Sequence, residues 1–169
     1  AVRAGERRWS DVVALGPKSH PSGISQNWPD RSPVTLHTLA TLMISISDNS
    51  ATDTLIRELG QDRLAAIVKA AGHNQPDELR PFLMTRQVSA LKMPVHTTRR
   101  DAFLKASPDE RETLLAEHDN ALTLESLDPR ILTSKPSFIN QLEWFATPSD
   151  IGRLLAYLHR NASAETRAI

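Results

Sequence analysis

The chain has 169 residues, 40% of them hydrophobic and 24% charged, which is typical of one soluble globular domain with a sizeable core. Twenty basic residues balance twenty acidic residues, so the charge gives no reason to expect nucleic acid or an anionic membrane as a partner. The absence of cysteine excludes disulfides and thiolate sites, and the absence of an apolar run of about 18 residues argues against a membrane span.

The segment from Val12 to Pro33 is rich in turn-forming residues and predicts an ordered loop. Its turn signals are Gly16-Pro17, His20-Pro21, Ser22-Gly23 and Trp28-Pro29-Asp30. Thr35 can then cap a first helix, whose apolar residues recur at helical spacing. These are Leu36, Leu39, Ala40 and Met43, with Leu42, Ile44 and Ile46 on other faces. Apolar residues on every face predict a helix buried inside a bundle.

Three more helices are predicted after a polar break at Ser47-Asp48-Asn49. The second helix ends at Gly60 and the third at Gly72, because glycine accepts the left-handed conformation that ends many helices. After a loop from His73 to Pro81, a fourth and shorter helix follows. Its apolar positions are Met84, Val88 and Leu91.

Two clear helix starts occur in the second half of the chain. Ser107-Pro108-Asp109-Glu110 combines a capping serine, a proline in the first turn and a glutamate three residues after the cap. Thr147-Pro148-Ser149-Asp150 repeats this signal, and the apolar stripe behind it comprises Ile151, Leu154, Leu155 and Leu158. The segment from Leu122 to Phe145 is ambiguous, and strands are hard to find. The sequence therefore predicts a mostly α fold.

The tripeptide Ser47-Asp48-Asn49 has two interpretations. Polar residues between buried helices are costly to desolvate unless they have partners or a task. On the tripeptide alone the simpler interpretation is a helix cap, with Ser50 and Asp53 capping the second helix.

The surroundings of the tripeptide favour a functional interpretation. From Pro33 to Gly60, a threonine-started helix runs into Ser-Asp-Asn and then into a helix closed by glycine. This stretch resembles class A β-lactamases and related penicillin-binding serine hydrolases. A further helix ending at Gly72 and the later start at Thr147-Pro148 extend the resemblance. It implies the helical domain of the β-lactamase/transpeptidase-like fold.

The resemblance implies a role for each residue of the tripeptide. Family enzymes acylate a serine, and the departing amide nitrogen must receive a proton. Ser47 would relay that proton, Asn49 would position the substrate and a catalytic lysine, and Asp48 would brace the turn as a structural residue. The implied substrate is a β-lactam, a D-alanyl peptide or another small ester or amide. No cofactor is implied, and an exported or periplasmic location follows by family analogy only.

Two of the three motifs of the family are missing from this chain. The family combines Ser-x-x-Lys, Ser-Asp-Asn and Lys-Thr/Ser-Gly. Neither Lys-Thr-Gly nor Lys-Ser-Gly occurs, and no Ser-x-x-Lys precedes Ser47. We therefore expect residues 1–169 to be one helical domain of a larger β-lactamase-like protein, lacking the flanking antiparallel sheet and inactive alone.

Other candidate residues fit the family less well. Ser89 and Lys92 spell Ser-x-x-Lys, but they follow Ser-Asp-Asn, so we expect an exposed helical pair. Glu78 is the nearest candidate for the deacylating glutamate, although a solvated loop residue is the better prediction. Glu143 lies too close to Thr147-Pro148 for that role. The six histidines are scattered without ligand spacing, so no metal site is predicted.

Two alternatives stay open. The chain could be a non-catalytic helical scaffold or binding module that keeps the family framework. A homodimer that buries the surface meant for the missing sheet is compatible with either hypothesis.

Overall fold

The computed structural model describes residues 1–19 and 22–164, which contain eight α-helices and two short strands. The predominance of helix confirms the mostly α prediction. Within these residues, no helix combines the length and the apolar character needed to cross a membrane. The predicted turn signal His20-Pro21 lies outside the described residues.

Two strands lie at the ends of the segment that was predicted to be loop. β1 (Val12–Ala14) pairs antiparallel with β2 (Pro33–Thr35), and Val13 lies opposite Val34. A 3₁₀ turn at Ser25–Asn27 lies in the loop between them. The sequence analysis missed both strands because three residues are too few to establish a period of two.

Helix α1 (Leu36–Ile46) begins as predicted, with the Thr35 hydroxyl accepting the N–H of Thr38 at 3.1 Å. The prediction that α1 is buried on all sides is wrong. Leu36, Leu39 and Ala40 are buried, whereas Ile44 is 63% exposed. The helix packs on α2 (Asn49–Leu59) and on β2 and leaves its other side open.

Helix α2 and helix α3 (Gln61–Ala70) end next to Gly60 and Gly72 as predicted, and both glycines have φ +86°. The predicted cap of α2 is wrong. Asp48 caps the helix by accepting the N–H of Ala51 at 2.9 Å. Ser50 and Asp53 instead lie buried within the helix.

Five helices follow: α4 (Thr85–Leu91), α5 (Thr97–Lys105), α6 (Pro108–His118), α7 (Pro129–Ser134) and α8 (Pro148–Asn161). The predicted starts of α6 and α8 are confirmed, because Ser107 with Glu110 and Thr147 with Asp150 each form a reciprocal capping box. Neither α5 nor α7 was predicted. The apolar stripe of α8 is not buried: Ile151, Leu155 and Leu158 are exposed.

The apolar core is divided between two clusters. The first joins the strands to α1 and α2 and comprises Val13, Leu15, Val34, Leu36, Leu39 and Ala51. The second surrounds α4 to α6 and comprises Leu83, Val88, Ala90, Leu91, Phe103, Leu115, Leu122 and Leu142. The turn between α1 and α2, which carries the tripeptide, belongs to the part of the fold built on the first cluster.

Candidate functional site

Ser47 occupies the turn between α1 and α2 in a left-handed conformation, with φ 54° and ψ 43°. Its N–H donates to the carbonyl of Leu42 and closes α1. The residue is exposed, and its hydroxyl makes no hydrogen bond to the residues that the structure describes. A non-glycine residue in this conformation costs about 1 kcal/mol or more, so neighbouring contacts must hold the turn.

Those contacts converge on the carboxylate of Asp48, which is fully buried and accepts four hydrogen bonds. Oδ1 accepts the Ser25 hydroxyl at 2.5 Å and the N–H of Ala51 at 2.9 Å. Oδ2 accepts the N–H groups of Ile24 and Ser25, both at 2.8 Å. Burial alone would raise the pKa of Asp48, but these hydrogen bonds outweigh it and hold the pKa below its usual range. Asp48 is therefore a carboxylate at neutral pH.

Residues Ser22–Ser25, which we call the bracing loop, wrap around the tripeptide. The Ser22 hydroxyl donates to the carbonyl of Ser47 at 2.5 Å, and the N–H of Asn49 donates to the carbonyl of Ser22 at 3.2 Å. Gly23, with φ +104°, lies directly against Asp48. The sequence analysis recognised Ser22-Gly23 as a turn signal, but nothing in a turn signal identifies the distant segment that it contacts.

Asn49 is the first residue of α2 and is half-buried. Its carbonyl lies 3.5 Å from the Thr85 hydroxyl at the start of α4. The first turns of α2 and α4 therefore lie side by side next to the tripeptide.

Asp53, one turn further along α2, is a buried residue whose role the sequence analysis missed. Its Oδ1 accepts the N–H and the hydroxyl of Thr85 at 2.7 and 2.6 Å. Its Oδ2 accepts the N–H of Arg86 at 2.9 Å and the hydroxyl of Ser19. Asp53 thus fixes the start of α4 against α2. Aspartate is common at helix starts, so its presence in the sequence did not indicate that Asp53 would bind the start of α4.

The other candidates lie elsewhere. The expectation of an exposed Ser89–Lys92 pair is wrong, since the Lys92 side chain is 11% exposed and forms an ion pair with Glu143. Between Ser89 and Lys92, both described residues, the structure shows no hydrogen bond. Glu78 is exposed in a 3₁₀ turn, as expected for a solvated loop residue. Over the described ranges, no three His, Asp or Glu side chains are arranged to hold a metal ion.

The chemistry available at the tripeptide is that of a hydroxyl on a braced turn. A serine nucleophile needs a base within hydrogen-bond reach. No such base contacts the Ser47 hydroxyl among the described residues. A hydroxyl nevertheless donates and accepts at once, which suits it to passing a proton between two other groups.

Comparison with known proteins bears on this site. A model described as the β-lactamase enzyme family (Beta-lactamase2) matches residues 1–168. No curated protein matches the chain significantly. Because the family match extends over nearly the whole chain, this protein belongs to the β-lactamase enzyme family.

Proposed function

We propose that this chain is the helical domain of a β-lactamase-like serine hydrolase and supplies one wall of its active-site cleft. Ser47 relays a proton, Asn49 positions the substrate, and Asp48 holds both in place. The proposal is supported by the exposed Ser47 hydroxyl, which has no partner among the described residues. It lies on a turn whose neighbouring carboxylate, that of Asp48, is buried and accepts four hydrogen bonds.

In the proposed reaction, a serine outside this chain attacks the carbonyl carbon of a β-lactam or a D-alanyl peptide. The new C–O bond replaces the C–N bond, and the departing nitrogen takes a proton. Ser47 donates that proton from its hydroxyl and receives another from a group of the parent protein. General acid–base catalysis by a positioned side chain typically raises a reaction rate by about 10²–10⁴-fold.

The second candidate is a non-catalytic scaffold or binding module. Both candidates are compatible with the 169 residues, which contain neither Ser-x-x-Lys before Ser47 nor Lys-Thr/Ser-Gly. The coding sequence on both sides of the segment discriminates between the candidates. If it encodes neither motif, the scaffold hypothesis replaces the enzyme hypothesis.

The direct test compares this chain with the protein encoded by the extended reading frame. Intact-mass spectrometry after incubation with benzylpenicillin should show an acyl adduct on the longer protein and none on the 169-residue chain. An adduct on the 169-residue chain would contradict the proposal and would implicate Ser89.

The role of Ser47 is tested in the longer protein. Ser47→Ala should slow acylation about 100-fold or more, since proton relay is lost. Ser45→Ala is the matched control, because Ser45 is also exposed and its hydroxyl donates to the Thr41 carbonyl of its own helix. Equal acylation rates in the two variants would remove Ser47 from the mechanism.

A homodimer of this chain stays a prediction. It would bury the surface meant for the missing sheet. Size-exclusion chromatography with light scattering measures the mass directly, and a monomer at high concentration would eliminate the dimer.

A further inference from the structure

A cavity of about 680 Å³ opens at the other end of α2 from the tripeptide. Its walls are residues 14–18, Asp30 with Arg31, the last turn of α2, Arg86 on α4, and residues 123–125. Arg57 in its wall lies eight residues after Asn49, about 12 Å along the helix axis. The cavity is thus separate from the site proposed above, and the inference drawn from it does not depend on that site.

Charged side chains of both signs line this cavity, and two of them, Arg86 and Glu58, are paired with opposite charges. Arg86 donates to the carboxylate of Asp119 at 2.8 and 2.9 Å. Glu58 pairs with Arg7 at 2.8 Å. Arg86 and Glu58 are therefore not available for a ligand. Glu125 differs from these two: a hydrogen bond from Thr123 holds its pKa below the usual range, so it carries a negative charge at the exposed rim of the cavity.

Lys18 contributes a positive charge with little compensation. Its side chain is 14% exposed, and its ammonium group donates to the carbonyls of Gln26 and Trp28. The carboxylate that it approaches, Asp30, is 3.7 Å away and 90% exposed. Water screens so exposed a charge, so Asp30 neutralises Lys18 only weakly.

Arg57 retains unused hydrogen-bond donors. Its Nη2 donates to the carbonyl of Ala14 at 2.8 Å and lies 3.6 Å from Glu58. Its Nε and Nη1 have no acceptor among the described residues. The guanidinium lies over Gly16, where an added Cβ would come within 2.8 Å of Nη1. Glycine at position 16 therefore leaves room for the Arg57 guanidinium.

Arg31 is the second arginine with free donors. It is exposed, lies in the left-handed region with φ 57°, and its side chain makes no hydrogen bond or ion pair with the described residues. Pro17 and Leu124 line the same cavity and provide apolar surface. The free donors of the two arginines suit a carboxylate group, and the apolar surface beside them suits the hydrocarbon part of the same molecule.

We infer that this cavity binds a small organic anion, with its carboxylate held by Arg57 and Arg31 and its apolar body against Pro17 and Leu124. Guanidinium groups bind carboxylates through paired, charge-assisted hydrogen bonds, which are stronger than neutral ones. Lys18 adds an attractive field without needing direct contact.

The test is a titration of the ¹⁵N-labelled chain followed by NMR, including the arginine Nε–H signals, at constant ionic strength. Sodium benzoate should give saturable shifts at Arg57, Arg31 and the amide of Leu124. Benzamide, the neutral isostere, should leave these signals in place. Inorganic phosphate lacks the apolar body and should bind about tenfold more weakly. Equal effects of benzoate and benzamide, or equal binding of phosphate, would overturn the inference.

Matched variants locate the binding site. Arg57→Gln should raise the Kd for benzoate at least about tenfold, equivalent to ~1.4 kcal/mol. Arg130→Gln makes the same change in charge at a side chain that is 90% exposed and not part of the cavity, and should leave the Kd unchanged. If Arg57→Gln does not fold, Arg31→Gln provides the same test at an exposed residue. Binding that is equal in all variants would overturn the inference.

Discussion

Gly23 and Asp48 are in such close contact that no side chain fits between them. A Cβ built on Gly23 would lie 2.6 Å from the Cα of Asp48 and closer still to its carboxyl group. Gly23 also has φ +104°, which side-chain-bearing residues rarely adopt. The shape of the bracing loop and the position of the Asp48 carboxylate therefore depend on each other.

We expect Gly23→Ala to lower the free energy of unfolding by about 3 kcal/mol or more, because it adds both backbone strain and overlap with a buried carboxylate. Urea unfolding at pH 7 measures the change. Gly60→Ala is the control: Gly60 has φ +86° and nothing within 4 Å of an added Cβ, so it should lose only about 1 kcal/mol. Similar losses in both variants would show that the contact with Asp48 is unimportant.

The charge of Asp48 should govern stability in acid. A pKa lowered by folding means that the stabilisation is complete above the unfolded-state value of about 3.9 and is lost as the pH falls through the folded-state value. Asp48→Asn should cost about 3 kcal/mol at pH 7, since an amide group cannot accept all four hydrogen bonds.

The distinguishing measurement for Asp48 is urea unfolding at pH 7 and at pH 3. The difference in stability between wild type and Asp48→Asn should narrow at pH 3. Asp62→Asn, at an exposed position of α3, serves as the control. Its free energy of unfolding should stay close to that of the wild type at both pH 7 and pH 3. A constant difference between wild type and Asp48→Asn would contradict the assignment of the effect to the charge.

Local signals in the sequence predicted the helices that carry them. The starts of α6 and α8 follow from residues only three positions apart, Ser107 with Glu110 and Thr147 with Asp150, so a short stretch of chain contains the whole signal. α5 lacks such a signal: it begins Thr-Thr-Arg-Arg-Asp, and Phe103 is its only buried residue among those described. The helix is stabilised by packing against the rest of the fold, and no short stretch of the sequence predicts that packing.

The braced turn could not be predicted for a related reason. The tripeptide itself was identified from its context, but Ser25 and Asp48 are 23 positions apart along the chain. No periodic pattern links a serine in a loop to one particular carboxylate. The exposed face of α1 was mispredicted in a similar way, because an apolar pattern indicates surface that can be buried without specifying what buries it.

His96 should make the protein less stable in mild acid. It is buried, and burial together with the nearby Arg99 guanidinium lowers the pKa of His96. The native state therefore binds its proton less readily than the unfolded state, so stability is complete above about pH 6.5 and declines as the pH falls below it.

The variant His96→Gln removes this titration. Its free energy of unfolding should change less between pH 7.5 and pH 5 than that of the wild type. His159→Gln, at an exposed position near the end of α8, should show the same change in the free energy of unfolding between these two pH values as the wild type. If the free energy of unfolding changes equally with pH in His96→Gln and in the wild type, another group is responsible for the acid sensitivity.

Ser47 is a residue at which stability and the proposed function should conflict. Its left-handed conformation suits glycine, and its hydroxyl has no partner among the described residues, so nothing is left unsatisfied when the side chain is removed. Ser47→Gly should therefore raise the free energy of unfolding by about 0.5–1 kcal/mol. Ser45→Gly, inside α1, should instead lower it by about 1 kcal/mol. In the longer protein, Ser47→Gly should slow acylation as Ser47→Ala does. The two results together would mean that the strained serine is present for its hydroxyl. If Ser47→Gly instead destabilised the chain, the side chain would be shown to support the turn.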